Sequence, residues 1–226
     1  MDILLIGGLW LDGSAWADVV PGLEASGHHA VALTLPGQGD GSSSATLDDQ
    51  VAAVVAAVDA ADRPLVVGHS AACSLAWLAA DRRPDRVSAA ALIGGFPSAD
   101  GELYADFFPV VDGVMPFPGW EKFEGPDSDD LDDETRRRVA AAAIPVPEGV
   151  TKGVVRLADE RRYDVPTVLV CPEFSPEQAK EWVDGGDVPE LAKATRLEYV
   201  DLASGHWPMF SRPKELAQLL ATLAER

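Results

Sequence analysis

Residues 65–80 constrain the fold of this 226-residue chain more than any other stretch. Leu65-Val66-Val67 is an apolar run with no polar alternation, as in a strand covered on both faces. It leads directly into Gly68-His69-Ser70-Ala71-Ala72, and Ala71–Ala80 then reads as an alanine-rich helix carrying Leu75 and Leu78. A strand that turns within a few residues into a helix brings two backbones together, so small residues must flank the turn. Gly68 and Ala72 hold those positions. Ser70 then stands at the apex, its hydroxyl exposed at the C-terminal edge of a sheet. Alone, Gly-x-Ser-x-Ala says little. Between a strand and a helix it presents a nucleophile.

The rest of the chain repeats this alternation. Ile3–Ile6, Val31–Leu35, Val87–Ile93, Thr167–Val170 and Leu197–Leu202 are short apolar runs predicted as strands. The second is stopped by the turn-rich Pro36-Gly37-Gln38-Gly39-Asp40-Gly41. Thr46 is placed as an N-cap with Asp49 in the capping-box position, ahead of Val51, Val54, Val55 and Val58 on one helical face. Leu216, Leu219, Leu220 and Leu223 form the face of a closing helix. Strand and helix alternating through short connections predict an α/β fold, a mainly parallel sheet of about six strands with helices on both faces.

That alternation lapses from residue 101 to about 162. Phe107, Phe108, Met115, Phe117, Trp120 and Phe123 stand there among prolines, followed by an acidic run, Asp127–Glu134, and by Arg136-Arg137-Arg138. So apolar a stretch is no disordered linker. It is expected as a small inserted lid, with core residues 1–100 before it and 163–226 after it. The acidic run is expected as its solvated outer face, with the aromatic face towards Ser70.

Composition removes several functions. Lys plus Arg total 18 against 37 Asp plus Glu, a formal net charge of −19. A surface that tracks phosphates needs the opposite balance, so neither nucleic acid nor an anionic membrane is an expected partner. No window reaches the roughly 18 uninterrupted apolar residues of a membrane span. An acid at position 2 and no basic run behind it argue against a signal peptide. Cys73 and Cys171 make neither a disulfide framework nor a zinc spacing, so a cytoplasmic location is expected. No dinucleotide fingerprint, phosphate loop or metal-ligand cluster is present, so no cofactor and no metal are expected. The expected partner is a small-molecule substrate, and the pattern says nothing of oligomeric state.

Four segments together carry a family resemblance: Gly7-Gly8-Leu9-Trp10, Leu35-Pro36-Gly37-Gln38-Gly39, Gly68-His69-Ser70-Ala71-Ala72 and Ser204-Gly205-His206-Trp207-Pro208. With them the whole chain resembles an α/β-hydrolase-fold enzyme, and is most similar to small bacterial hydrolases related to the methyl-esterase and hydroxynitrile-lyase group. The family's first two strands have no counterpart before Gly7, so a minimal version of the fold is expected. The resemblance implies Ser70 as nucleophile and His206 as its base, with oxyanion-hole amides at Leu9 and Ala71. Relatives usually carry His-Gly where this chain has Gly7-Gly8, which removes a side chain but no amide.

The triad acid is implied after the strand ending at Val170 or after the one ending at Ile93. Glu173 is preferred to Asp100, although its spacing departs from the usual Gly-x-x-Asp; a Ser–His pair without a third member stays open. Trp10, Phe107, Phe117, Trp120 and Trp207 are candidates for lining a substrate pocket. The function implied is that of a carboxylesterase-like serine hydrolase (EC 3.1.1-like) acting on a small, fairly apolar ester or acyl compound. Two alternatives remain. Hydroxynitrile-lyase relatives rely on a lysine near the site, and the lid offers only Lys122 and Lys152. A ligand-binding pseudoenzyme would fit the uncertain acid, Gly7 and Ala72.

Overall fold

The structure, a computed structural model, describes residues 1–226. Its elements run β1 (Asp2–Ile6), α1 (Val20–Ala25), β2 (His29–Leu33), α2 (Leu47–Ala60), β3 (Leu65–His69), α3 (Cys73–Arg82) and β4 (Ala89–Ile93). Then follow β5 (Val114–Met115), α4 (Asp133–Ala142), β6 (Val146–Pro147), α5 (Glu148–Thr151), β7 (Thr167–Cys171), α6 (Pro176–Gly185), β8 (Leu197–Asp201), α7 (Pro208–Ser211) and α8 (Pro213–Ala224). Six strands form one sheet in the order β2-β1-β3-β4-β7-β8, every neighbouring pair parallel. This is the α/β-hydrolase fold.

Alternation along each strand divides the core in two. Leu4, Ile6, Val66, Ala90, Leu92 and Leu169 pack with α2, α3 and α6 on one face. Ile3, Leu5, Val67, Ala91, Ile93 and Val168 pack with Trp16, Leu23 and the Leu216, Leu220 and Leu223 side of α8 on the other. Burial on both faces is why these strands read as unbroken apolar runs. No helix is long and apolar enough to cross a membrane.

Most strand ends shift by one or two residues from the sequence expectation, two of them for clear local reasons. β2 ends at Leu33 because Leu35–Gln38 close a turn: the Gln38 amide donates to the Leu35 carbonyl, and Gln38 Oε1 accepts from the Leu35 amide at 2.7 Å. β4 begins only at Ala89 because the Val87 amide turns back to the Arg83 carbonyl. The Thr46–Asp49 capping box starts α2.

Between β4 and β7 the chain leaves the sheet. It forms the antiparallel β5–β6 pair and α4, whose N-cap Asp132 accepts from the Thr135 amide at 2.7 Å. The Ile144 amide donates to the Trp10 carbonyl, and Trp10 Nε1 donates to the Met115 carbonyl at 3.2 Å. This segment therefore packs against the loop after β1, at the C-terminal edge of the sheet. Its acidic run is not uniformly solvated, a correction to the sequence reading. Asp129, Asp132, Asp133 and Glu134 are exposed, whereas Asp127 and Asp130 are half-buried against the loop after β8.

Candidate active site

In a parallel sheet the C-terminal strand ends face the same way, so loops distant in sequence meet there. The loops after β1, β3, β7 and β8 converge here. β3 stops at His69, and Ser70 adopts φ +55°, a left-handed conformation that is strained for a residue with a side chain. A Cβ on Gly68 would lie 2.2 Å from the Ala72 carbonyl oxygen, so position 68 admits only glycine. Ala72 is fully buried with its methyl accommodated, which accounts for alanine at the second small position. The strand and helix thus hold the serine hydroxyl outward.

His206, in the loop after β8, places Nε2 2.9 Å from Ser70 Oγ. Its Nδ1 lies 2.6 Å from Glu173 Oε1 in the loop after β7. An ionised Glu173 can only accept, so Nδ1 carries the hydrogen and Nε2 presents its lone pair to the Ser70 hydroxyl. Both side chains are largely buried, at 16% and 14% exposure, so water competes weakly for these bonds. Asp100 is elsewhere: its Oδ1 accepts from the Leu157 amide at 2.9 Å and serves the β4–β7 segment. Of the two candidate acids, the structure brings Glu173 to the histidine.

The Leu9 amide makes no hydrogen bond within the protein, which leaves it free to meet a ligand beside Ser70. Gly8 is needed for this approach, since a Cβ there would stand 2.9 Å from both Ser70 Cβ and His69 Nδ1. Ala71 follows Ser70 in a single 3-10 turn ahead of α3. Trp10, the next loop residue, has φ +65°, a second strained backbone at the same site.

A cavity of about 230 Å³ opens over Ser70, lined by Leu9, Trp10, Phe107, Phe108, Phe123 and Trp207 with the two histidines. Trp10, Phe107 and Trp207 are therefore placed as the sequence suggested, with Phe107 63% exposed at the mouth. Phe117 and Trp120 are not: they form a second layer, Phe117 edge-on to Trp10 at 5.3 Å and Trp120 edge-on to Trp207 at 5.1 Å. Phe108 and Phe123 line the cavity instead. Aromatic content marks the segment as apolar, but nothing in it tells which ring faces inward.

His69, beside Ser70, is packed in the core and bridges to the loop that carries His206. It is 1% exposed, and its Nε2 donates to the His206 carbonyl at 2.7 Å, leaving Nδ1 a lone pair without a partner. Burial, and then the neighbouring His206 charge, push its pKa down to about 3, so it stays neutral. Cys73 and Cys171 are buried free thiols. Burial pushes the Cys73 thiol well above its ordinary range and Cys171 up to about 12, so neither supplies a thiolate.

Residues 3–219 match the model of the alpha/beta hydrolase family. No curated protein sequence matches the chain. Among solved structures, an extracellular alpha/beta-hydrolase from a Paenibacillus species has a TM-score of 0.80 at 17% identity, covering 100% of both chains. That protein is described as sharing structural and functional homology with tobacco salicylic acid binding protein 2. A methylesterase from Arabidopsis has a TM-score of 0.77 at 16% identity, over 100% of this chain and 99% of its own. A pyrethroid hydrolase from Sphingobium faniae reaches 0.71 at 23% identity, over 100% and 97%. At such identities these are likenesses of fold.

Proposed function

This chain belongs to the alpha/beta hydrolase family, and within it we propose a serine hydrolase that cleaves a small, fairly apolar ester or related acyl compound through an acyl-enzyme. One observation carries the reading: the continuous relay Glu173 Oε1–His206 Nδ1 (2.6 Å) and His206 Nε2–Ser70 Oγ (2.9 Å). Ser70 attacks the carbonyl carbon while His206 takes its proton, and Glu173 stabilises the imidazolium. The oxyanion develops towards the Leu9 and Ala71 amides, each worth about 3 kcal/mol of barrier. His206 returns the proton to the leaving oxygen, and water then releases the acid by the same steps in reverse.

The cavity supports the substrate class. Its volume suits a compact ligand, its walls are aromatic, and no lysine or arginine lines it. The absence of a lining lysine also weighs against the cyanohydrin-cleaving alternative. The solved structures with esterase and pyrethroid hydrolase names favour ester cleavage by analogy of fold. We read the segment over the cavity as the lid, the partner as a small molecule without a cofactor, and the location as cytoplasmic, in keeping with two free thiols.

A fluorophosphonate probe tests the proposal directly. It should label the folded protein at Ser70, and Ser70→Ala should abolish both labelling and turnover of p-nitrophenyl butyrate. Folded protein that takes no label would refute the reading, and turnover surviving in Ser70→Ala would move the chemistry to another residue.

A further inference from the structure

His206 is carried on a loop between β8 and α7, so the accuracy of its Nε2 depends on what holds that loop. The backbone at 205–206 is fixed from outside. The Gly205 amide donates to Asp130 Oδ2 at 2.7 Å, and the His206 amide donates to the Asp127 carbonyl at 2.7 Å. On the other side the His206 carbonyl accepts from His69 Nε2. The fit leaves no slack: a Cβ on Gly205 would lie 2.4 Å from the Asp127 carbonyl oxygen and 2.5 Å from Asp130 Oδ1.

The holding residues are themselves immobilised. Ser128, between them, is fully buried, and its Oγ donates to the Phe123 carbonyl at 2.6 Å. Arg136 Nη2 donates to the Ser128 carbonyl at 2.5 Å, and the Trp120 indole donates to the Arg136 carbonyl at 2.8 Å. The Leu131 amide closes back on Ser128, and Asp132 caps α4 directly after it. Position is thus passed from α4 through a tight turn to the catalytic loop.

We propose that Asp130 is a positioning residue for His206: the segment between β4 and β7 uses its carboxylate to fix the Gly205 amide and so sets the Nε2–Oγ contact. The inference rests on His206 being the base proposed above. Asp130 differs from its exposed acidic neighbours in having Oδ1 buried without a partner. Burying an unpaired carboxylate oxygen lowers stability, so the residue is better explained by what its other oxygen holds.

Asp130→Ala should lower kcat for p-nitrophenyl butyrate roughly 10- to 100-fold, leave KM within about twofold, and slow fluorophosphonate labelling of Ser70 in parallel. Asp130→Asn should restore most of the lost rate, because its side-chain oxygen accepts the same N–H. Should the alanine variant fail to fold, Asp130→Glu carries the test: it keeps the charge but displaces the oxygen by one methylene, and its kcat should fall. Full kcat in Asp130→Ala or in Asp130→Glu, a change confined to KM, or an asparagine variant no better than alanine would each overturn the inference. Wild-type protein that takes no label at all would sink the hydrolase reading instead. A labelled wild type and an equally labelled Asp130→Ala sink only the role of Asp130.

Discussion

His69→Gln should make the protein less sensitive to acid. His69 is buried as the neutral imidazole, its pKa pushed down from the ordinary 6.5 to about 3. Below about pH 6.5 the unfolded chain takes up a proton that the folded chain refuses, so stability falls as pH falls, by about 1.4 kcal/mol per pH unit. The decline continues until about pH 3, where the folded state also protonates. At pH 5, some 1.5 units below the unfolded value, the loss from this one group is about 2 kcal/mol. Glutamine has no titration in this range, and its Nε2 can occupy nearly the same point to donate to the His206 carbonyl. Urea unfolding of both proteins at pH 8, 7, 6 and 5 isolates the effect, because every other titrating group cancels in the difference. The variant should gain about 2 kcal/mol on wild type between pH 8 and pH 5. A difference that stays constant across the series would show that His69 protonates freely in the fold and would refute the argument.

Arg162 sits in a buried network, donating to Glu190 Oε2 at 2.9 Å and to Asp81 Oδ1 at 3.3 Å. Arg162→Met should destabilise by about 3–5 kcal/mol by leaving Glu190 buried without a cation, while Asp81 keeps only its ion pair with Arg82; urea unfolding showing a loss below about 1 kcal/mol contradicts this. Ser70→Gly should do the opposite, raising stability by about 1 kcal/mol as the strained φ is relieved while turnover disappears. A lowered melting temperature in that variant would show that the serine conformation carries no strain.

Much of this architecture was legible in the sequence because its signals are local. A doubly covered strand must be apolar throughout, and Leu65–Val67 running into Gly68 and Ser70 fixes one strand, one turn and one outward-held serine within a few residues. The Thr46–Asp49 cap was readable for the same reason. His206 could be named from the Ser-Gly-His-Trp-Pro context, whereas its acid could not be settled, because Glu173 reaches the histidine through a loop path that departs from the family spacing. The acidic run misled for a different reason. Asp127 and Asp130 carry the same composition signal as Asp129 and Asp132, and only the packing of a loop some 75 residues downstream turns two of them inward. Likewise Phe108 and Phe123 face the cavity while Phe117 and Trp120 stand behind it, a choice made by tertiary contacts among equally apolar rings.

The cation-free lining of the cavity has a consequence for turnover. Ester hydrolysis converts a neutral reactant into a carboxylate anion. Under the proposed reaction, that anion forms in a cavity with no lysine or arginine to hold it, beside Glu173, on a protein of net charge −19. Entry of the ester meets little electrostatic opposition, and departure of the acid is driven by repulsion from the whole surface. The same field that excludes polyanions from the site would clear it after each cycle, so accumulated acid product should inhibit only weakly, and more noticeably as added salt screens the repulsion.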